Sequence, residues 1–131
     1  MLSGGMKTYW RVRVSATLAA IGVALGAFGA HGLKDLLGSV ENGMEMWKTA
    51  VFYHLVHAVV MTVLALLGVA PRAWGLFLGG VLMFSGSLYA MVSLGLKWMG
   101  PVTPLGGVLL LAGWLTIALR PGQGRGRGSE K

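Results

Sequence analysis

The chain has no cysteine, which excludes disulfides, thiolate nucleophiles and iron–sulfur clusters together. Charge is scarce as well. Only 11% of residues are charged, and the acids are Asp35, Glu41, Glu45 and Glu130. None of them falls between Val14 and Leu33 or between Thr49 and Leu119. A small four-span antiporter that exchanges protons for cations needs a carboxylate within the membrane, so this absence argues against that mechanism. Proton coupling would have to run through histidine, with its ordinary pKa of about 6.5. Catalytic signatures are missing too: His54-Leu55-Val56-His57 lacks the glutamate of an HExxH zinc site, no serine has a glycine elbow, and no loop is built to cradle phosphate. The sequence reads as non-enzymatic.

What it does contain is apolar. Hydrophobic residues make up 55% of the 131 and mean hydropathy is +0.71, which leaves too little polar surface to coat a soluble body. A net charge of +7 would suggest nucleic acid in a soluble chain. Here the cations lie outside the apolar runs, and the partners implied are the lipid bilayer and, for the basic termini, anionic lipid rather than nucleic acid.

Four runs, about 14–33, 49–70, 73–96 and 102–119, are each suited to crossing a hydrocarbon core of about 30 Å, which takes roughly 20 helical residues. The expectation is a single domain over 1–131, an all-α, integral membrane four-helix bundle. The basic head and Ala27-Phe28-Gly29 also imitate a secretory signal, so processing of the first run stays open. In the connection 34–48, Leu33, Leu36, Leu37, Val40 and Met44 fall at helical spacing. That pattern suits a short interfacial helix broken at Asn42-Gly43, with a solvated loop as the alternative. Residues 120–131, rich in glycine and arginine, have the composition of a disordered basic tail.

With four spans, Lys7, Arg11, Arg13, Arg72, Arg120, Arg125, Arg127 and Lys131 share one side of the membrane, against Lys34, Lys48 and Lys97 on the other. The positive-inside rule then places both termini in the cytoplasm of a bacterial cell, with the protein in its cytoplasmic (inner) membrane. Trp10, Trp47, Trp98 and Trp114 read as interface markers. Because lipid tails are as apolar as leucine, helices in a bilayer associate through close packing and polar contacts. Gly22, Gly26, Gly29, Gly75, Gly79, Gly86 and Gly106 are the candidate packing positions, several of them at GxxxG spacing. Such stripes serve packing within one chain or between chains, and a homo-oligomer is left open.

Sorted by depth, His31, Tyr53, His54, His57, Ser85, Ser87, Tyr89 and Thr103 fall in the half of the membrane away from the termini. This polar cluster has three readings. It serves helix assembly, it binds or passes a small solute, or its histidines hold a metal or haem, since His54 and His57 share a helix face at i, i+3 spacing and His31 comes from the adjacent span. The sequence itself requires no cofactor.

Four blocks, GAFGAHGL at 26–33, WKTAVFYHLVHA at 47–58, FSGSLYA at 84–90 and TPLGG followed by GW between 103 and 114, resemble the YgdD-like family of small four-span membrane proteins, a domain of unknown function. The resemblance implies a four-helix integral membrane fold and brings no activity, substrate or cofactor. Its motif residues are His31, Trp47, Tyr53, His57, Ser85, Ser87, Tyr89, Thr103 and Pro104. His54 is outside that set, so a site of His31, His57 and Tyr89 rests on it more firmly than one built from the histidine pair.

Overall fold

The computed structural model describes residues 2–121, with side chains from Tyr9 onward. Of the tail expected over 120–131, residues 122–131 lie outside them. The order is α1 (Leu2–His31), α2 (Lys34–Ser39), α3 (Gly43–Leu67), α4 (Pro71–Leu94), a 3-10 turn (Lys97–Met99) and α5 (Val102–Ala118). Four stretches are long and apolar enough to cross a membrane: Tyr9–His31, Gly43–Leu67, Pro71–Leu94 and Lys97–Ala118. The all-α four-span architecture is therefore as expected. Helix ends differ from the apolar runs because a helix need not stop where its apolar residues do. Thus α1 starts before Val14, and α3 starts at Gly43 rather than Thr49.

Local chemistry explains the stops. Gly68 (φ +66°) and Gly95 (φ +70°) end α3 and α4 in the left-handed conformation that glycine adopts without strain. Pro71, whose ring presets a helical φ, opens α4. The connection after α1 does form a short helix, α2, which buries Leu37. Gly43 then starts α3 against it, where a Cβ would stand 2.5 Å from the Leu37 carbonyl oxygen.

The α3–α4 pair is central, with α1 packed on α3 and α5 packed on α4. Among the described residues α1 and α5 make no comparable contact with each other. Side-chain size is inverted relative to a soluble bundle: Phe52, Val59, Leu66, Leu111 and Leu115 face outward, while Ala50, Ala58, Ser85 and Ser87 are buried. Small residues inside let backbones approach, which is the source of cohesion where the surroundings are as apolar as the core. One core cluster gathers Met61, Trp74, Phe77, Val81 and Leu110 toward the end that carries the termini, and a smaller one joins Leu37, Trp47 and Val92 at the α2 end.

Only some of the expected packing glycines pack. Cβ atoms at Gly22 and Gly26 would press on Leu55 and Val51, one at Gly29 would enter the Trp47 indole, and one at Gly106 would run into the backbone of Phe84. Gly79 would make an ordinary contact with Leu109. A Cβ at Gly75 or Gly86 would face open space. Gly80 against Leu110 and Gly113 against Phe77 are close contacts that the spacing did not single out.

Candidate functional site: a belt of polar links between helices

The glycine contacts set a common level for the helices. Gly22 of α1 faces His54 and Leu55 of α3, and Gly29 faces Trp47, as antiparallel neighbours do. Arg13 is nine residues from Gly22 on one side, and Glu45 is nine residues from His54 on the other. At 1.5 Å per residue each lies about 13 Å away, and Lys48 of α3 lies about 9 Å away.

His54 uses both ring nitrogens. Nε2 is 2.7 Å from the Leu18 carbonyl oxygen of α1, and Nδ1 is 2.9 Å from the Tyr89 hydroxyl of α4. A carbonyl only accepts, so Nε2 carries the proton and Nδ1 accepts from Tyr89. His57, one turn on, has the opposite tautomer. The Trp114 indole of α5 donates to its Nε2 at 2.9 Å, leaving Nδ1–H to donate to the Tyr53 carbonyl at 2.7 Å. Two neighbouring rings thus tie α3 to the other three long helices. His57 is enclosed by the rings of Phe77, Trp114 and Tyr53.

The remaining polar side chains repeat the pattern. Ser85 donates to the Ala50 carbonyl at 2.7 Å, joining α4 to α3. Ser87 and Thr103 bond hydroxyl to hydroxyl between α4 and α5. Trp47 donates to the Leu25 carbonyl at 2.9 Å, and Trp74 donates to Ser15 at 2.7 Å, both reaching α1.

Of the sequence candidates, the structure brings His54 together with Tyr89, His57 with Tyr53, and Ser87 with Thr103. His31 does not join them. It is exposed at the last turn of α1, nine residues past Gly22 and therefore about 13 Å from the level of His54. The three histidines consequently form no common ligand set, and the two buried ones have no free lone pair, since Tyr89 and Trp114 already donate to them. Among the described residues no three His, Cys, Asp or Glu side chains come together as a metal ligand set. Sequence reasoning missed Trp74, which is buried, and took Trp47 and Trp114 for interface markers although their N–H groups are spent inside the bundle. The signal available for Trp74 was its place one turn into a span, three residues after a proline start.

With this geometry in view, relatives can be compared. Residues 25–107 match the family described as "Protein of unknown function (DUF423)". The chain belongs to this family. It is 36% identical over 113 residues to the UPF0382 membrane protein YwdK of Bacillus subtilis, a match covering 81% of this chain and 90% of that protein. It is 36% identical over 101 residues to a UPF0382 membrane protein of Haemophilus influenzae, covering 73% and 80%. A UPF0382 membrane protein of Schizosaccharomyces pombe is 31% identical over 118 residues, covering 84% and 98%. No solved structure matches the chain. This DUF423 member is thus a multi-pass membrane protein of a small family of unknown function, as the motif blocks implied at that level. The matched segment runs from Leu25, acceptor of the Trp47 bond, to Gly107, and so contains His54, His57, Ser85, Ser87, Tyr89 and Thr103.

Proposed function

We propose that this DUF423 protein is a non-catalytic component of the bacterial cytoplasmic membrane, whose intramembrane polar residues hold its own helices together and which acts through what its bundle surface binds within the bilayer. One observation carries the reading: both ring nitrogens of His54 and of His57 are engaged by fixed partners on other helices or on their own backbone. A proton relay or a ligand site needs a nitrogen that is free to exchange partners, and neither ring has one. Both termini are assigned to the cytoplasm, supported by Arg11, Arg13, Arg72 and Arg120 at one end of the bundle and by the cation count, and the basic termini are assigned to anionic headgroups. Retention of α1 is supported by its acceptors, because removing it would strip partners from Trp47, His54 and Trp74. Self-association through the exposed faces of α1 and α5 is compatible with this reading.

The test is reconstitution in liposomes beside a stability measurement. His57→Phe is expected to lower the thermal midpoint and to leave permeability to protons and small solutes equal to that of protein-free vesicles, as with the unmodified protein. A protein-dependent flux that disappears in folded His57→Phe would overturn the assignment.

A further inference from the structure

Where α1 packs on α3, a groove of about 310 Å³ opens on the outer surface of the bundle. Gly26, Gly29 and Ala30 form its α1 side, which is low because none of them carries a side chain beyond Cβ. Its α3 side runs from Met44 past Lys48 and Phe52 to Leu55. Those eleven residues of helix span about 17 Å at 1.5 Å per residue, close to one leaflet's share of a hydrocarbon core about 30 Å thick. The lining is apolar except at Lys48, because the Trp47 N–H is spent on the Leu25 carbonyl.

Lys48 has an unusual neighbour. Glu45 stands three residues before it on α3, so their Cβ atoms are about 5–6 Å apart, a spacing at which opposite charges ordinarily pair. Among the described residues, however, neither side chain enters a hydrogen bond or an ion pair, and both are exposed. The result is a cation on the groove and an anion one turn beyond it toward α2, each without a partner.

We propose that the groove holds a phosphatidylethanolamine of the leaflet on the α2 side, one acyl chain lying along Gly26, Gly29 and Ala30, its phosphate at Lys48 and its ammonium at Glu45. This rests on the reading of the bundle surface as the part that acts, and gives that surface a ligand. Charge makes the selection. A wholly apolar occupant would leave both charges idle. Phosphatidylglycerol supplies the phosphate but sets an anion beside Glu45. Phosphatidylcholine supplies a cation with no N–H to donate, whereas the primary ammonium of ethanolamine donates to a carboxylate, and its two carbons join phosphate and ammonium over a distance comparable to the spacing of the two residues. The wider field at this end agrees: Asp35, Glu41 and Glu45 balance Lys34, Lys48 and Lys97, so it does not favour an anion. A larger groove, of about 390 Å³ between α3 and α5, has no lysine, arginine or carboxylate in its lining.

The experiment is native mass spectrometry of the whole chain released from detergent, titrated in parallel with the dioleoyl forms of phosphatidylethanolamine, phosphatidylcholine and phosphatidylglycerol. One phosphatidylethanolamine per chain is expected to bind saturably, with an apparent Kd roughly twofold to fivefold below the other two, the scale of one exposed charged contact. Glu45→Gln is expected to remove that preference, Glu45→Lys to turn it toward phosphatidylglycerol, and Lys48→Gln to weaken all three lipids. None of these should move the lipid-free melting temperature, since neither side chain bonds within the protein. Ala30→Phe, which fills the groove, is expected to abolish binding; if that variant does not fold, the Glu45 and Lys48 variants decide alone. The proposal is overturned if the parent retains the three lipids equally, if the preference survives both Glu45 variants, or if Lys48→Gln leaves the affinities unchanged. Conversion of a lipid-free dimer to a monomer by Ala30→Phe would show that a second copy fills the groove, and overturns it too. His54 and His57 take no part, so failure here is separate from failure of the permeability test.

Discussion

His54 is the side chain with most at stake, because one imidazole replaces two separate links between helices. Hydrogen bonds between membrane helices are worth on average about 0.6 kcal/mol and up to about 1.7. His54→Leu, which removes a bond to α1 and another to α4, is therefore expected to destabilise by about 1–3 kcal/mol, read as a lowered midpoint in detergent unfolding. Tyr89→Phe should cost roughly half as much, and a double mutant cycle of the two should show coupling, because each single change leaves the other partner unsatisfied. His31→Ala is expected to stay within about 0.5 kcal/mol of the parent, since the ring is exposed and apart from the belt. The types of these residues were legible in the sequence. Their pairings were not, because whether His31 or Leu18 meets His54 depends on how two helices cross, and spacing along one helix does not contain that.

At the scale of elements, the interfaces are made by glycines whose importance the repeat pattern ranks poorly. A Cβ at Gly106 would meet the backbone of Phe84, which cannot swing aside as a side chain can. Gly106→Ala is therefore expected to separate α4 from α5 and to lower the midpoint by several degrees. Gly75→Ala and Gly86→Ala, which face open space, should be tolerated or should stabilise by up to about 1 kcal/mol through helix propensity. Thermal unfolding of the three variants side by side distinguishes these outcomes. The α3–α4 turn holds a strained position, since Ala70 takes φ +49° immediately before Pro71. Ala70→Gly relieves that conformation and is expected to stabilise by about 1 kcal/mol. A break between the second and third apolar runs was legible in the sequence, but the strain at Ala70 was not, because alanine gives no sign of a left-handed backbone.

For the whole molecule, the paired α3 and α4 form the centre, and α1 and α5 are attached by a few polar links each. The termini end is closed by aromatic contacts, Trp10 edge-on to Trp74 at 5.2 Å, with the Arg11 guanidinium over both rings at 5.4 and 5.7 Å. A cation held this way over two aromatic faces suits the boundary of an apolar belt. Reporters fused to the C-terminus are expected to be active only when the reporter works in the cytoplasm. A periplasmic signal from the same fusion would reverse the topology.

Composition alone determined that this chain is a membrane protein of four helices, because 55% hydrophobic residues in four charge-free runs leave no soluble alternative. It also determined which polar residues the belt has available. Tertiary structure decided how they are spent. The close approach of Gly22 to His54 and of Gly106 to Phe84 fixes the relative heights of helices that are distant in sequence, and those heights pair His54 with Leu18 and Tyr89 and set His31 apart.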